Sequence, residues 1–300
     1  MFKNEVAEFI YKRTYSRWIE EESRREDWPE TIERFLNFII SERPDIPVKT
    51  QEKIRKYMTE FAVMPSMRFL WAAGPAAKND NTCIYNCSFA KINSVEAFAE
   101  CLYILMCGTG FGFSVESEEV EKLPVIPEIK SGQALKRVVI EDSKNGWADS
   151  VKTLMNSLYD GQNIYFDYSA IRPEGARLMT MGGRASGPQP LIKLHDFIRE
   201  TMHNAQGRQL TTLECHDICN QIAEIVVVGG VRRSSQISLS DLHDTDMRHA
   251  KEWPFPIKRA MANNSAIYRE KPSAADFLKE WGSLALSGTG ERGIFNLEAA

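Results

Sequence analysis

Apolar residues recur at helical spacing through the first sixty positions. Residues 5–11 carry Val6, Phe9 and Ile10 on one side, and 31–40 repeat the pattern with Pro29 as a start signal. Pro44 and Pro47 interrupt the chain. A third helix is expected after Thr50, with Lys53 rather than an acid at the capping-box position. These segments predict a helical N-terminal domain over 1–60, its charged faces solvated. From Met64 the texture changes. Pro65, Gly74 and Pro75 mark irregular chain around Trp71. Residues 83–90 then read as a strand, 95–106 as a helix, and 108–115 as a glycine-rich run. The charged 118–144 stretch, with Pro124 and Pro127, reads as loops. A helix over 147–159, a strand over 163–168, a Gly/Pro-rich loop over 172–190 and helices over 191–205 and 212–226 follow. Gln236-Ile237-Ser238-Leu239-Ser240 alternates as a strand. Strands recurring between helices make the class α/β. No internal repeat is visible.

Composition narrows the function classes. The 300 residues include 37 Lys and Arg against 41 Asp and Glu, a net charge of −4. That argues against a nucleic-acid binder working through bulk positive charge. The apolar run 222–228 falls far short of the ~20 residues a membrane span needs. The N-terminus MFKNEVAEFIYKR lacks a basic-then-apolar signal pattern. Six cysteines are too sparse for a disulfide scaffold, which points to a reducing, cytoplasmic setting.

Cys83 and Cys87 form one Cys-x3-Cys pair, and Cys215 and Cys219 another. Two such pairs could hold a zinc if the fold joined them. Equally, the second pair sits in a helical pattern and reads as core packing. On a strand, Cys83 and Cys87 would face one side, so that one or both could face a cavity. GTGFGF lacks the Lys-Ser/Thr of a phosphate loop, so close backbone packing at a strand start competes with ligand binding. In GGVRRSS, glycines precede Arg232 and Arg233, which could hold a phosphate or a base or be merely solvated. His195, His203, His216, His243 and His249 show no zinc spacing and no neighbouring nucleophile.

An ordered set of segments carries a resemblance. It runs from Pro65-Ser66-Met67-Arg68-Phe69-Leu70-Trp71 through Asn86-Cys87-Ser88-Phe89, GTGFGFSVE (108–116), DSKNGW (142–147), IRPEGA (171–176) and GGRASGPQPL (182–191). DICNQI (217–222), VGGVRRSS (228–235), ANNSAIY (262–268) and GERGIFN (290–296) complete it. Together they resemble the adenosylcobalamin-dependent, class II ribonucleotide reductases, especially the monomeric ribonucleoside-triphosphate reductases. The resemblance implies a first part of a ten-stranded α/β barrel over 61–300. It also implies thiyl-radical reduction of ribonucleoside triphosphates at C2′, with adenosylcobalamin as cofactor and no metal site on protein side chains. Cys87 matches the first of two cysteines that supply reducing electrons as they form a disulfide. Asn86 lies where the family contacts substrate, and Ser66 near the substrate phosphates. Gly229, Gly230, Arg232 and Arg233 match the loop that passes effector identity to the substrate base. Asn263 and Asn264 match a signature near the substrate end of the barrel. The region around DSKNGW lies where monomeric members build an effector site.

The family's thiyl cysteine lies in an Asn-Pro-Cys-Gly-Glu segment after GERGIFN, and that segment does not occur in these 300 residues. The expectation is therefore an N-terminal portion of a reductase, inactive alone. Implied partners are a ribonucleoside triphosphate, a deoxynucleotide effector, a dithiol reductant such as thioredoxin and the missing C-terminal half, with no nucleic acid or membrane. The alternative is a catalytically inactive nucleotide-binding or regulatory fragment.

Overall fold

The structure, a computed structural model, describes residues 2–129, 136–176, 184–228 and 235–299. The chain divides into two compact units, Met1–Asn86 and Cys87–Ala300.

The first unit is built on short helices. Asn4 caps α1 (Glu5–Thr14) by accepting from the Ala7 amide. A two-residue antiparallel pair follows, β1 (Trp18–Ile19) with β2 (Arg24–Arg25). Asp27 and Glu30 form a reciprocal capping box that starts α2 (Trp28–Glu42), with Pro29 in its first turn. The next helix, α3 (Val48–Thr59), begins ahead of the expected Thr50. The Pro47 carbonyl already accepts from the amides of Thr50 and Gln51, so Thr50 lies inside the first turn. Two brief helices close the unit, α4 (Met67–Ala72) and α5 (Pro75–Asn79). Trp28, Ile32, Phe35, Leu36, Met58 and Leu70 form its core.

The second unit carries a five-stranded sheet. Its strands are β3 (Cys87–Lys91), β4 (Gly110–Ser114), β7 (Gln236–Asp241), β8 (Ala262–Tyr268) and β9 (Gly293–Asn296). They pair in that order, all parallel. Between β4 and β7 the chain forms α7 (Ser117–Val120), β5 (Lys136–Val139), α8 (Lys144–Tyr159), β6 (Ile164–Asp167), α9 (Gln189–Asn204) and α10 (Thr212–Val228). β5 and β6 pair in parallel as a separate small sheet. The remaining helices are α6 (Val95–Met106), α11 (Thr245–His249) and α12 (Ala274–Ser287).

The strand order never reverses. In a parallel sheet of right-handed crossovers, such an order stacks the connecting helices on one face. The opposite face is left to become the interior of a barrel, where a reversing order would have given a doubly wound sheet. The α/β class and the barrel-type half-sheet expected from the sequence are both present. Phe98, Leu102, Phe111, Phe113, Leu154 and Ile222 belong to the core under the helix-bearing face. Each such side chain fully removed from water contributes about 1.5–3 kcal/mol.

Two expectations need correction. Cys83 is not on a strand: residues Asn81–Ile84 form a 3₁₀ turn, started by Asp80, whose side chain accepts from the Thr82 amide. The strand begins only at Cys87, where β4 supplies hydrogen-bond partners. The charged 118–144 stretch is not all loop, because it contains β5. Among the described residues no helix is long and apolar enough to cross a membrane.

Candidate functional site

Cys87 is the first residue of β3, an edge strand, and its side chain is exposed. Alternation along β3 puts Cys87, Phe89 and Lys91 on one side, all exposed, with Ser88 and Ala90 half-buried on the other. β4 alternates in step. Phe111 and Phe113 enter the helix-covered core, whereas Gly110 and Gly112 lie in register with Cys87 and Phe89. From Gly110 onward the run GTGFGF is thus a strand whose large residues face the core and whose glycines floor the other face.

A Cβ at Gly112 would stand 3.1 Å from Phe89 Cδ2 and 3.2 Å from Ile237 Cγ2. Close packing, rather than phosphate binding, accounts for that glycine. Gly110 is the register partner of Cys87 and presents no side chain beside the thiol. The row through Phe89 and Gly112 continues through Ile237 to Asn263, which is exposed on this face. Asn264 points the other way, 2% exposed, with its backbone amide donating to Glu291 Oε2 at 2.8 Å. Register, invisible in local sequence, separates these two asparagines.

Ser66 and Asn86 belong to the first unit, and both are exposed. Ser66 caps α4, its hydroxyl oxygen accepting from the Phe69 amide at 3.1 Å. Arg68, in the same segment, donates to the Cys83 carbonyl at 2.8 Å and lies 5.4 Å from the Trp71 ring centre. Gly229, Gly230, Arg232 and Arg233 fall outside the described residues. Their flanks are described: α10 ends at Val228 and β7 begins at Gln236.

Other motif residues have packing roles that local sequence did not reveal. Gly146 of DSKNGW is required because a Cβ there would meet the Glu141 carbonyl oxygen at 2.3 Å. Asp142 accepts from Arg172 Nε at 2.6 Å, joining DSKNGW to IRPEGA. Asp217 of DICNQI takes both arms of Arg259, at 2.7 and 2.8 Å.

Cys215 and Cys219 are wholly buried on α10. Burial raises both thiols well above their ordinary range, because a thiolate there would lose its hydration. Core packing is their role, and the zinc alternative has no support from them. Among the described residues no group of three or more His, Cys, Asp and Glu is placed to hold a metal. His195 and His216 are buried and held neutral, both pushed down to about 3 by desolvation first and nearby cationic side chains second. His195 stacks on Phe166 at 4.5 Å and bonds Ser150 and Tyr168 at 3.0 and 2.8 Å.

Comparisons with known proteins agree with this arrangement. A family model described as the ribonucleotide reductase alpha domain matches residues 1–75. A second, the insertion domain of B12-dependent ribonucleotide reductase, matches 128–202, which contains DSKNGW, β5 and β6. The adenosylcobalamin-dependent ribonucleoside-triphosphate reductase of Levilactobacillus brevis is 28% identical over 98% of this chain and 48% of its own length. That of Lactobacillus helveticus is 28% identical over 98% of this chain and 49% of its own. A crystal structure of a B12-dependent, class II ribonucleotide reductase superposes with a TM-score of 0.83 at 25% identity, covering 96% of this chain and 49% of that one. The chain spans about half the length of the curated relatives it matches. Over nearly its whole length the chain is thus similar to about half of an adenosylcobalamin-dependent, class II ribonucleotide reductase, and residues 128–202 match the insertion domain of that class.

Proposed function

We propose that this chain supplies the first reducing thiol and the nucleotide-reading segment of an adenosylcobalamin-dependent ribonucleoside-triphosphate reductase. The observation that carries the reading is Cys87: an exposed thiol at the start of an edge strand, on the sheet face that the helices leave open, beside a strand floored with glycine. A thiol so placed can meet a second thiol across a site. The pair closes to a disulfide, releasing two electrons and two protons. The electrons reduce C2′ of the ribose while its hydroxyl leaves as water. An external dithiol of the thioredoxin kind then reopens the disulfide by exchange. Asn86 contacts the substrate in this reading, and Ser66 lies near its phosphates. Gly229, Gly230, Arg232 and Arg233 pass the identity of a deoxynucleotide effector to the substrate base. A polypeptide carrying the second reducing cysteine and the radical cysteine completes the enzyme, in the cytoplasm.

Adenosylcobalamin, when bound in the completed enzyme, would supply the radical. A cavity of about 500 Å³ in the second unit is lined by Glu121, Asp241, Asp244 and hydroxyl side chains. It is far smaller than a corrinoid with its nucleotide tail, and its acids disfavour the tail's phosphate. These residues do not fit the cofactor.

The test is Cys87→Ser in the reductase assembled from this chain and the completing polypeptide. Multiple turnover with a dithiol reductant is expected to be lost, because a hydroxyl cannot form the disulfide. Cys83→Ser, at a buried thiol, is expected to keep most activity. Normal turnover by Cys87→Ser would overturn the assignment and favour a noncatalytic nucleotide-binding module.

A further inference from the structure

The two faces of α1 meet different surroundings. Tyr11 is 4% exposed and fixes how the helix is turned. Its ring stacks on Phe2 at 4.9 Å and meets Trp28 edge-on at 5.5 Å, and its hydroxyl pairs with Thr31 Oγ1 at 2.7 Å. With Tyr11 held inward, helical spacing sends Val6, Phe9 and Ile10 outward together. They are 66%, 61% and 50% exposed, and none belongs to the core of the first unit. A single exposed apolar residue is ordinary, but three adjoining on one helix face make a patch.

The charges along this patch are arranged by sign. Glu5, Phe9 and Arg13 are spaced by four, so they form one ridge with the ring at its centre. Glu5 and Arg13 are exposed, and neither has an ion-pair partner among the described residues. Lys12, by contrast, donates to the Glu26 carbonyl at 2.8 Å. A second copy of the helix, laid antiparallel with the two Phe9 rings at the crossing, sets each Glu5 against Arg13 of the other copy. A parallel pair would set Glu5 against Glu5 and Arg13 against Arg13. The face is thus complementary to itself in one direction only, the direction a two-fold contact requires. Apolar area drives such a contact, whereas the exposed ion pairs add little energy and select the direction.

We propose that the Val6, Phe9 and Ile10 face of α1 docks on the same face of a second copy of this chain, as an antiparallel two-fold helix pair. A ten-residue helix from each copy buries well under the ~800 Å² per partner of a stable complex, so the pair is weak and depends on concentration. It uses no residue assigned to the reductase site and does not depend on that reading.

Sedimentation equilibrium of the 300-residue chain at low salt tests the contact. The average mass is expected to rise from 34.1 kDa toward twice that value as concentration increases, with a dissociation constant on the order of 10⁻⁴ M. Phe9→Asp, at an exposed position, is expected to hold the chain at the monomer mass. Glu5→Lys and Arg13→Glu each turn two attractive pairs into two repulsive ones, and each is expected to weaken association about tenfold. An equimolar mixture of these two variants sets Lys and Arg of one chain against Glu and Glu of the other. It is expected to associate about as tightly as the parent chain. A parent chain that stays monomeric up to about 500 μM, well above the dissociation constant expected of a weak pair, overturns the proposal. So does association that Phe9→Asp leaves unchanged, or a mixture no tighter than either charge variant alone.

Discussion

Cys87 differs from the other five thiols in one physical respect, access to solvent: Cys83, Cys101, Cys107, Cys215 and Cys219 are all buried. Reactivity follows thiolate content and access. Alkylation of the folded chain near neutral pH is therefore expected to modify Cys87 first, and the others only after unfolding. Peptide mapping reads this out, and fast labelling of Cys215 or Cys219 in the folded chain would contradict the packing described. The sequence singled out Cys87 through Asn86-Cys87-Ser88-Phe89, but not its exposure, which depends on where β3 meets β4. Local pattern misled at Cys83, where Cys-Ile-Tyr favours a strand and the side chain of Asp80 imposes a turn instead. Asn263 and Asn264 looked equivalent as neighbours, and pleating sends them to opposite faces.

At the scale of elements, what local pattern leaves out is the ion pairing that fastens one element to another. The helix over 95–106 was read with the bounds it has, because its apolar residues enter the core. The helix α12 is not among the elements expected from the sequence: Leu278, Trp281 and Leu286 on it are exposed, and Glu280 is its buried residue. Glu280 accepts from Arg248 of α11 and from Arg292, which precedes β9. Arg292 also donates to the carbonyls of Asp241 and Leu242 at the end of β7. One carboxylate thus compensates two buried guanidinium groups and fastens α11, α12 and the last strands together. Removing it leaves two unpaired like charges in a dry site. Glu280→Ala is expected to destabilise the fold by about 3–5 kcal/mol, the usual cost of breaking a buried pair from one side. Urea denaturation measures this, and a loss below about 1 kcal/mol would mean that water reaches the cluster. Nothing in the local sequence marks this cluster, since its members are 32 and 12 residues apart.

At the scale of the whole molecule, the half-barrel is legible in the order of motifs along the chain, whereas its energetic weak point is legible only in three dimensions. His195 and His216 looked like scattered histidines in the sequence, and both prove to be in the interior of the second unit. Each has a folded-state pKa of about 3, pushed down chiefly by burial, against ~6.5 for an unfolded histidine. Between these values the unfolded chain binds protons that the folded chain refuses, so stability rises with pH there and is lost on acidification below pH ~6.5. Each histidine contributes a slope of up to about 1.4 kcal/mol per pH unit, or roughly 2 kcal/mol by pH 5. Carboxylates such as Glu119 and Asp167, held down to about 2 by their hydrogen bonds, change stability in the same direction but at lower pH. The window from about pH 6.5 to 5 therefore belongs to the histidines. Urea midpoints of the chain are expected to fall steadily across that window, and His195→Gln to remove about half of the slope whatever it does to absolute stability. An unchanged slope in His195→Gln would mean that the imidazole is protonated in the folded state, which its contacts with Phe166, Ser150 and Tyr168 disfavour.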